Sequence, residues 1–307
     1  MRLKRLKHDL AYGWVLFIRA LFNLMPRRPA VTLGSGLGSL AGSLLKKDRL
    51  EAGRNLEKVY GKEIDRPRRD SIIDNMFKNF GKNLVDVMRL EKSYDRQIRP
   101  LIDTEGMEHF RRVYERGRGV VAVTGHIGNF ELLAAFFASE GFKTAAIGRR
   151  MYDSRLDRLL VRNRRAMGIV NVATDDSPRR IMKLLKNGYA LGALIDIDSI
   201  RIRSEFVPFL GRPAYTPIGQ TILGLRAGAG FVPIVCVRAG KRYRIVVGPE
   251  ITVNATGDFD DDVYNMTREC NRAIERIILE YPDQWIWIKN RWVTQPGEGQ
   301  KNENKTL

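Results

Sequence analysis

The chain has 307 residues, of which 44% are hydrophobic and 29% charged, a balance that excludes a largely disordered protein and predicts one main domain with extensions. Its formal net charge is +18, from 53 Lys and Arg against 35 Asp and Glu. Such an excess favours a polyanionic neighbour: nucleic acid, an anionic membrane, or an acidic carrier or substrate. Cys236 and Cys270 show no CxxC or zinc-site spacing. Neither a disulfide framework nor a metal knuckle is therefore predicted, and a reducing compartment is compatible with the chain.

The N-terminus combines a basic leader with a mostly apolar run from Leu10 to Met25, interrupted by Arg19 and followed by Pro26. The run lacks the small-residue cleavage site of a signal peptide. It is also shorter than the roughly 20 apolar residues that a spanning helix needs. We therefore expect an interfacial or shallowly inserted helix, with a single spanning helix and a buried helix as alternatives.

Residues 30–45 carry glycines at 34, 38 and 42 and serines at 35, 39 and 43. This spacing predicts a ridge of small residues on one helix, suited to close helix packing in or on a membrane. Gly36, Gly38 and Ala41 also form a GxGxxA pattern, but no strand precedes it, and a nucleotide site is not predicted.

The rest of the chain predicts an α/β fold. Apolar residues at the helical period predict an amphipathic helix over 71–90. Helices are then expected at 105–115, 130–140, 154–167 and 177–186, alternating with strands at 119–124, 143–148, 169–173 and 189–197. This alternation favours a mixed, partly parallel sheet flanked by helices.

Further elements are expected towards the C-terminus. Thr216 and Pro217 are typical of an N-cap and the first position of a helix, which would end near Gly228. Strands at 231–238 and 243–247 and a long helix at 260–279 follow. The tail, residues 296–307, is predicted to be disordered.

The segment VAVTGHIGNFE, residues 121–131, places His126 just after a predicted strand, where open α/β sheets carry their sites. Positions five apart on one helix point roughly 140° from each other, so His126 can meet Glu131 only from a turn before the helix. Gly125 and Gly128 supply the backbone freedom for that turn. One interpretation is a general-base dyad; the other is a capping histidine, with Glu131 favoured in the first helical turn.

Other catalytic chemistries have less support in the sequence. His8 and His109 show no metal-ligand spacing with His126, so no metal is expected. The absence of GxSxG from the sequence argues against a serine hydrolase.

Five segments, in order, carry a resemblance to a known family: GHIGNFE, IGRRMYDSRLDRLLVRNRRAMG, ALIDID, FVPFLGRPAYTPIGQTILGLRAGAGFVPIV and YPDQWIWIKNRW. They resemble the successive blocks of the bacterial late acyltransferases of lipid A biosynthesis, within the wider HxxxxD/E acyltransferases that include glycerolipid enzymes. EAGRNLEKVYG, residues 51–61, and the apolar N-terminus fit as well. The resemblance divides the chain into membrane-associating helices at 1–46, an acyltransferase domain at 47–295 and the tail.

The resemblance implies that His126 is the base and Glu131 its partner. It also makes Arg149, Arg164 or Arg165, and Asp196 candidates for substrate binding. Several family members have Gln or His after the aspartate, where this chain has Ile197. A structural role for Asp196, paired with an arginine at a strand end, is the alternative. The arginines can likewise belong to a solvated face.

The implied reaction is acyl transfer from an acyl carrier protein or acyl-CoA to a hydroxyl of a phosphorylated lipid, at the cytoplasmic face of the inner membrane. It needs no cofactor and no covalent enzyme intermediate. Backbone N–H groups near Gly128 and a cationic arginine are candidates to stabilise the oxyanion. A glycerolipid or other aminolipid O-acyltransferase is the alternative enzyme.

The four tryptophans and the charge leave two questions open. Trp14 lies in the N-terminal run, and Trp285, Trp287 and Trp292 cluster beside Lys289 and Arg291, where they would face a membrane boundary or alternate into a core. A non-catalytic basic protein that binds nucleic acid or anionic lipid would explain the charge. It would not explain a glycine-flanked HxxxxE at a strand end, and no nucleic-acid partner is expected.

Overall fold

The computed structural model describes residues 2–200 and 202–296. The helices are α1 (Arg2–Leu24), α2 (Arg27–Leu44), α3 (Lys46–Tyr60), α4 (Arg66–Ser93), α5 (Met107–Tyr114), α6 (Phe130–Ser139), α7 (Ser154–Ala166), α8 (Pro178–Lys186), α9 (Gly219–Ala227) and α10 (Phe259–Glu280). The strands are β1 (Ile102–Glu105), β2 (Val120–Thr124), β3 (Thr144–Gly148), β4 (Val170–Ala173), β5 (Ala190–Leu194), β6 (Ser204–Phe209), β7 (Arg212–Pro217), β8 (Gly230–Ala239) and β9 (Arg242–Val247).

Seven strands form a mixed sheet in the order β1-β9-β8-β2-β5-β3-β4. Strand β2 lies parallel to both β5 and β8, whereas β8 and β9 pair antiparallel through the turn that joins them. The predicted α/β class with a partly parallel sheet is thus confirmed. The carboxyl ends of β2 and β5 meet at one edge, where sites of open α/β sheets lie.

Helix α2 packs along α4 through the predicted ridge of small residues. Gly34, Gly38 and Gly42 are buried, and a Cβ atom at Gly38 would run into the carbonyl oxygen of Phe77 on α4. Gly81 on α4 faces the ridge equally closely. The ridge therefore mediates close helix packing as predicted, and its partner is a helix of the same chain.

The N-terminal helices leave apolar side chains exposed. Leu10, Trp14, Phe17 and Leu24 on α1 and Leu33, Leu37, Leu40 and Leu44 on α2 are exposed, as are Phe80 and Leu84 on α4. No helix within residues 2–200 and 202–296 is long and apolar enough to cross a membrane.

The predicted helix start at Thr216 and Pro217 is wrong. Both residues belong to β7, which forms an antiparallel hairpin with β6 that the sequence did not indicate. Helix α9 begins after them, at Gly219. The Thr216 hydroxyl accepts from Arg291 Nη2 at 2.5 Å and donates to the Ala214 carbonyl at 2.9 Å instead of capping a helix.

The tryptophans separate into two groups. Trp14 has 62% of its surface exposed, whereas Trp285, Trp287 and Trp292 are 2%, 0% and 6% exposed. The membrane-facing interpretation of the C-terminal cluster is therefore wrong, and its residues lie in the core. The tail prediction beyond Pro296 falls outside the described residues.

Candidate active site

His126 lies in the turn between β2 and α6, as the spacing predicted. Helix α6 begins at Phe130, and the side chain of Asn129 caps it by accepting from the Leu132 N–H at 3.1 Å. Gly128 has φ +59°, a left-handed conformation that favours glycine, and a Cβ there would run into the Cys236 carbonyl. The turn therefore needs its second glycine for both conformation and space.

Asp196 is the carboxylate that contacts the histidine. Its Oδ1 lies 2.9 Å from His126 Nδ1, and its Oδ2 accepts from the His126 backbone N–H at 2.7 Å. Trp285 Nε1 donates to the same Oδ2 at 2.7 Å. A Cβ at Gly125 would lie 2.9 Å from that oxygen, which explains the first glycine of the turn.

The register of the sheet brings His126 and Asp196 together. Thr124 of β2 pairs with Leu194 of β5, and His126 and Asp196 each follow two residues later. Burial would raise the pKa of Asp196, but the charge of His126 and hydrogen bonds from His126 and Trp285 lower it to about 2. The carboxylate therefore stays ionised at neutral pH and favours the imidazole proton on Nδ1, which leaves the lone pair of Nε2 as an acceptor.

Glu131 pairs with Arg164 and not with His126. Its two carboxylate oxygens accept from Arg164 Nη2 at 2.5 Å and Nε at 3.0 Å, and both side chains are nearly buried. The histidine ring nitrogens meet Asp196 and, at 3.4 Å, Lys289 Nζ. The expected hydrogen bond of the HxxxxE dyad is thus replaced, within the described residues, by two separate pairs.

The candidate arginines occupy different environments. Arg164 is committed to Glu131 and, through Nη1 at 2.6 Å, to Asn171 Oδ1, so this candidate for substrate binding forms a buried ion pair at the lining of a cleft. Arg149, just beyond the carboxyl end of β3, and Arg165, on α7, are both exposed. Their substrate-binding role stays a prediction.

Three of the backbone N–H groups near Gly128 that could have stabilised an oxyanion are occupied. The N–H of Gly128 donates to the Gln284 carbonyl at 2.9 Å, and that of Asn129 to the Cys236 carbonyl at 2.8 Å. The N–H of His126 is held by Asp196. These three groups fix the turn and do not point at a substrate.

An apolar cleft lies between α6 and the sheet. Its cavity volume is about 50 Å³. The lining includes Phe130, Leu133, Ala134 and Phe137 of α6, Ala145 and Ile147 of β3, Gly192 and Leu194 of β5, and the pair Glu131 and Arg164. Phe130 connects the cleft to His126, because its ring lies edge-on to the imidazole with the ring centres 5.4 Å apart.

Residues 2–294 match the profile of a family described as bacterial lipid A biosynthesis acyltransferase. The chain belongs to this family. It is 30% identical to a lipid A biosynthesis lauroyltransferase of Escherichia coli (strain K12) over 86% of this chain and 85% of that protein. It is 26% identical to a lipid A biosynthesis myristoyltransferase of the same strain, over 99% and 94%. A phosphatidylinositol mannoside acyltransferase of Mycolicibacterium smegmatis is 22% identical over 78% of each chain.

The protein is therefore an acyltransferase, and its site contains two carboxylates with different partners. Both carboxylates are candidates in the sequence, but the predicted contact of His126 with Glu131 is wrong, because His126 contacts Asp196. The contact between His126 and Asp196 depends on β2 lying next to β5 in the sheet, and a short sequence motif does not contain that information. Trp285 and Lys289 were seen in the sequence only as part of a tryptophan cluster.

Replacing Asp196 by Asn should lower kcat of acyl transfer by roughly two to four orders of magnitude. Oδ2 receives two donors, so the Asn oxygen should stay there and its NH₂ should face Nδ1. That contact favours the tautomer with the proton on Nε2, which cannot act as a base. Steady-state kinetics with thermal melting measure the effect.

Asp198→Asn is the matched control. Asp198 lies two residues after Asp196 and accepts from the Thr294 N–H at 2.9 Å and from the Thr294 hydroxyl at 2.7 Å. The variant should keep kcat close to wild type. Equal activity of Asp196→Asn and wild type would contradict the assignment of Asp196 as the orienting group.

Arg164→Met should destabilise the fold by roughly 3–5 kcal/mol, because it leaves the Glu131 carboxylate buried without its partner. The neighbouring exposed Arg165→Met should change stability by no more than about 0.5 kcal/mol. Denaturant unfolding of both variants makes the comparison. The double variant Glu131→Gln with Arg164→Met removes both charges and should be more stable than Arg164→Met alone. Additive losses in the double variant would contradict a mutual ion pair.

Proposed function

We propose that this protein is a membrane-associated O-acyltransferase that moves a fatty acyl chain from an acyl thioester to a hydroxyl of a lipid A precursor or a related lipid. The observation that carries the proposal is the imidazole of His126, held by a buried ionised carboxylate with Nε2 directed away from it. This arrangement suits a general base for a hydroxyl nucleophile.

In the proposed reaction, Nε2 of His126 takes the proton of the acceptor hydroxyl as its oxygen attacks the thioester carbonyl. Asp196 stabilises the resulting imidazolium. The tetrahedral oxyanion then collapses, the C–S bond breaks, and the proton on Nε2 passes to the leaving sulfur. The products are the acyl ester and the free thiol of the carrier.

The apolar cleft supports a fatty acyl substrate. Its apolar lining lies beside the proposed base, and the ion pair of Glu131 and Arg164 forms part of that lining. An acyl chain in this cleft would bury its surface against α6 and the sheet, which favours binding. Acyl carrier protein and acyl-CoA are both suitable donors, and the net charge of +18 would attract either acidic carrier.

A phosphorylated lipid A precursor is the acceptor that we favour, because the names of the two Escherichia coli relatives refer to lipid A. The relative named for phosphatidylinositol mannoside supports a glycerolipid as the alternative acceptor. The same positive charge that would attract the carrier would also attract lipid phosphates.

Purified His126→Ala should transfer acyl groups at least about 100-fold more slowly than wild type, because it removes the general base. The assay presents an acyl carrier protein thioester and acyl-CoA separately, each with a lipid A precursor or a phosphatidylinositol mannoside, and identifies products by mass spectrometry. The control His109→Ala removes a histidine of α5 and should leave the rate unchanged. No transfer by wild type to either acceptor, or full activity of His126→Ala, would refute the proposed function.

We further propose that the N-terminal helices bind the cytoplasmic face of the cell inner membrane. Leu33, Leu37, Leu40 and Leu44 recur at helical spacing and form one exposed apolar stripe on α2. Exposed Trp14 on α1 adds an aromatic side chain of the type found at membrane boundaries. The positive charge of the chain supports an anionic lipid surface.

Replacing both Leu37 and Leu40 by Glu should weaken cosedimentation with vesicles that contain anionic lipid, because the apolar stripe then carries two charges. Ser39→Glu with Ser43→Glu introduces the same charge on the serine flank of α2, where both residues are exposed. This control separates loss of apolar contact from loss of electrostatic attraction. Equal binding by the two double variants would place the membrane contact away from the leucine stripe.

A further inference from the structure

Lys289 lies at the reactive nitrogen of the base. Its Nζ is 3.4 Å from His126 Nε2, and its side chain comes from the segment after α10. With the ring proton on Nδ1, the lone pair of Nε2 can accept from the ammonium. The ammonium thus occupies the position that a substrate hydroxyl needs.

The backbone of this segment is held in place by buried contacts. Nδ2 of Asn55 on α3, a fully buried side chain, donates to the carbonyl oxygens of Trp287 at 2.9 Å and Lys289 at 3.3 Å. The Ile286 N–H donates to the His126 carbonyl at 3.2 Å. Lys289 therefore extends a flexible side chain from a fixed backbone directly to the base.

Acyl transfer needs positive charge or N–H donors at the developing oxyanion. The N–H groups of His126, Gly128 and Asn129 are engaged within the protein. The Arg164 guanidinium is engaged by Glu131 and Asn171. The ammonium of Lys289 is a cation beside the base whose contact with Nε2 must break when the substrate binds.

We propose that Lys289 is a catalytic residue that stabilises the oxyanion of the tetrahedral intermediate, an inference that rests on the proposed function. As the acceptor oxygen forms its bond to the thioester carbon, its proton moves to Nε2 and the carbonyl electron pair moves to the carbonyl oxygen. When the C–S bond breaks, that electron pair re-forms the carbonyl and the proton leaves Nε2 with the thiolate. Lys289 keeps its own proton throughout.

Electrostatic forces would move the Lys289 ammonium from His126 Nε2 to the oxyanion. Before proton transfer, the acceptor hydroxyl displaces the ammonium from Nε2. After transfer, the ring is a cation and repels the ammonium, while the oxyanion, one carbon atom away from the attacking oxygen, attracts it. The long lysine stem permits a shift of this size.

Lys289→Gln tests the proposal with steady-state kinetics. We expect kcat to fall about 10²–10³-fold, the usual loss for one oxyanion donor, and KM for the acceptor to change little. Lys289→Arg keeps the positive charge and should recover part of kcat. The control Lys186→Gln removes an exposed lysine at the C-terminus of α8. This helix precedes the amino end of β5, opposite the edge that carries His126, so kcat should match wild type.

A phosphonate analogue of the tetrahedral intermediate provides a second readout that needs no turnover. Its Kd should rise in Lys289→Gln by the same factor by which kcat/KM falls, while thermal melting stays at the wild-type value. Unchanged kcat, or a loss confined to the KM of a phosphorylated acceptor, overturns the proposal; the latter result makes Lys289 a phosphate ligand. A wild-type enzyme without acyl transfer refutes the proposed function, whereas an active wild type with an equally active Lys289→Gln refutes only the role of Lys289.

Discussion

The buried carboxylate of Asp196 organises the whole site. It receives three N–H donors, from the His126 backbone, the His126 ring and the Trp285 indole. A buried carboxylate without such donors would be protonated at neutral pH; with them its pKa falls to about 2. One ionised group thereby fixes the catalytic turn, the imidazole tautomer and the C-terminal segment that carries Lys289.

A second buried network reaches the same turn from the other side. Asp86 of α4 accepts from Arg27 at 2.7 Å and 2.8 Å and from Arg238 at 3.2 Å. The Arg238 guanidinium also donates to Asn83 Oδ1 at 2.9 Å, and Asn83 Nδ2 donates to the Gly128 carbonyl at 3.0 Å. The first turn of α2 is thus tied to the catalytic turn through one buried carboxylate shared by two arginines, and through Asn83. Removing Asp86 would leave both arginines without their carboxylate at low dielectric, so the N-terminal helices and the site are energetically connected.

The sequence predicted the elements well where local patterns decide them. Helices 130–140 and 154–167 and strands 119–124 and 143–148 agree with α6, α7, β2 and β3 to within one residue at each end, because their period and caps are local. Thr216 and Pro217 misled because the same dipeptide suits a helix start and an edge strand, and only the pairing with β6 decides between them.

The site was predictable to the level of residue types but not of partners. The glycines around His126 indicated a turn, and the structure adds their reasons: Asp196 Oδ2 leaves no room for a Cβ at 125, and the Cys236 carbonyl leaves none at 128. Asp196 is 70 residues from His126 along the chain, and a parallel neighbour can be any strand of the sheet. Which carboxylate meets the base therefore depends on strand order, a property that no local pattern contains.

The division of the two carboxylates gives the HxxxxE spacing a different physical meaning. Glu131 stands in the first turn of α6 and Arg164 in the last turn of α7, so each charge is favoured by the dipole of its own helix. Their pair connects the two helices beside the cleft, while Asp196 contacts Nδ1 of His126. The glutamate five residues after the histidine thus places an anion at the start of α6, where Arg164 binds it. In the proposed reaction the motif thus supplies part of the wall of the cleft as well as the base, and the carboxylate that orients the base comes from the end of a neighbouring strand.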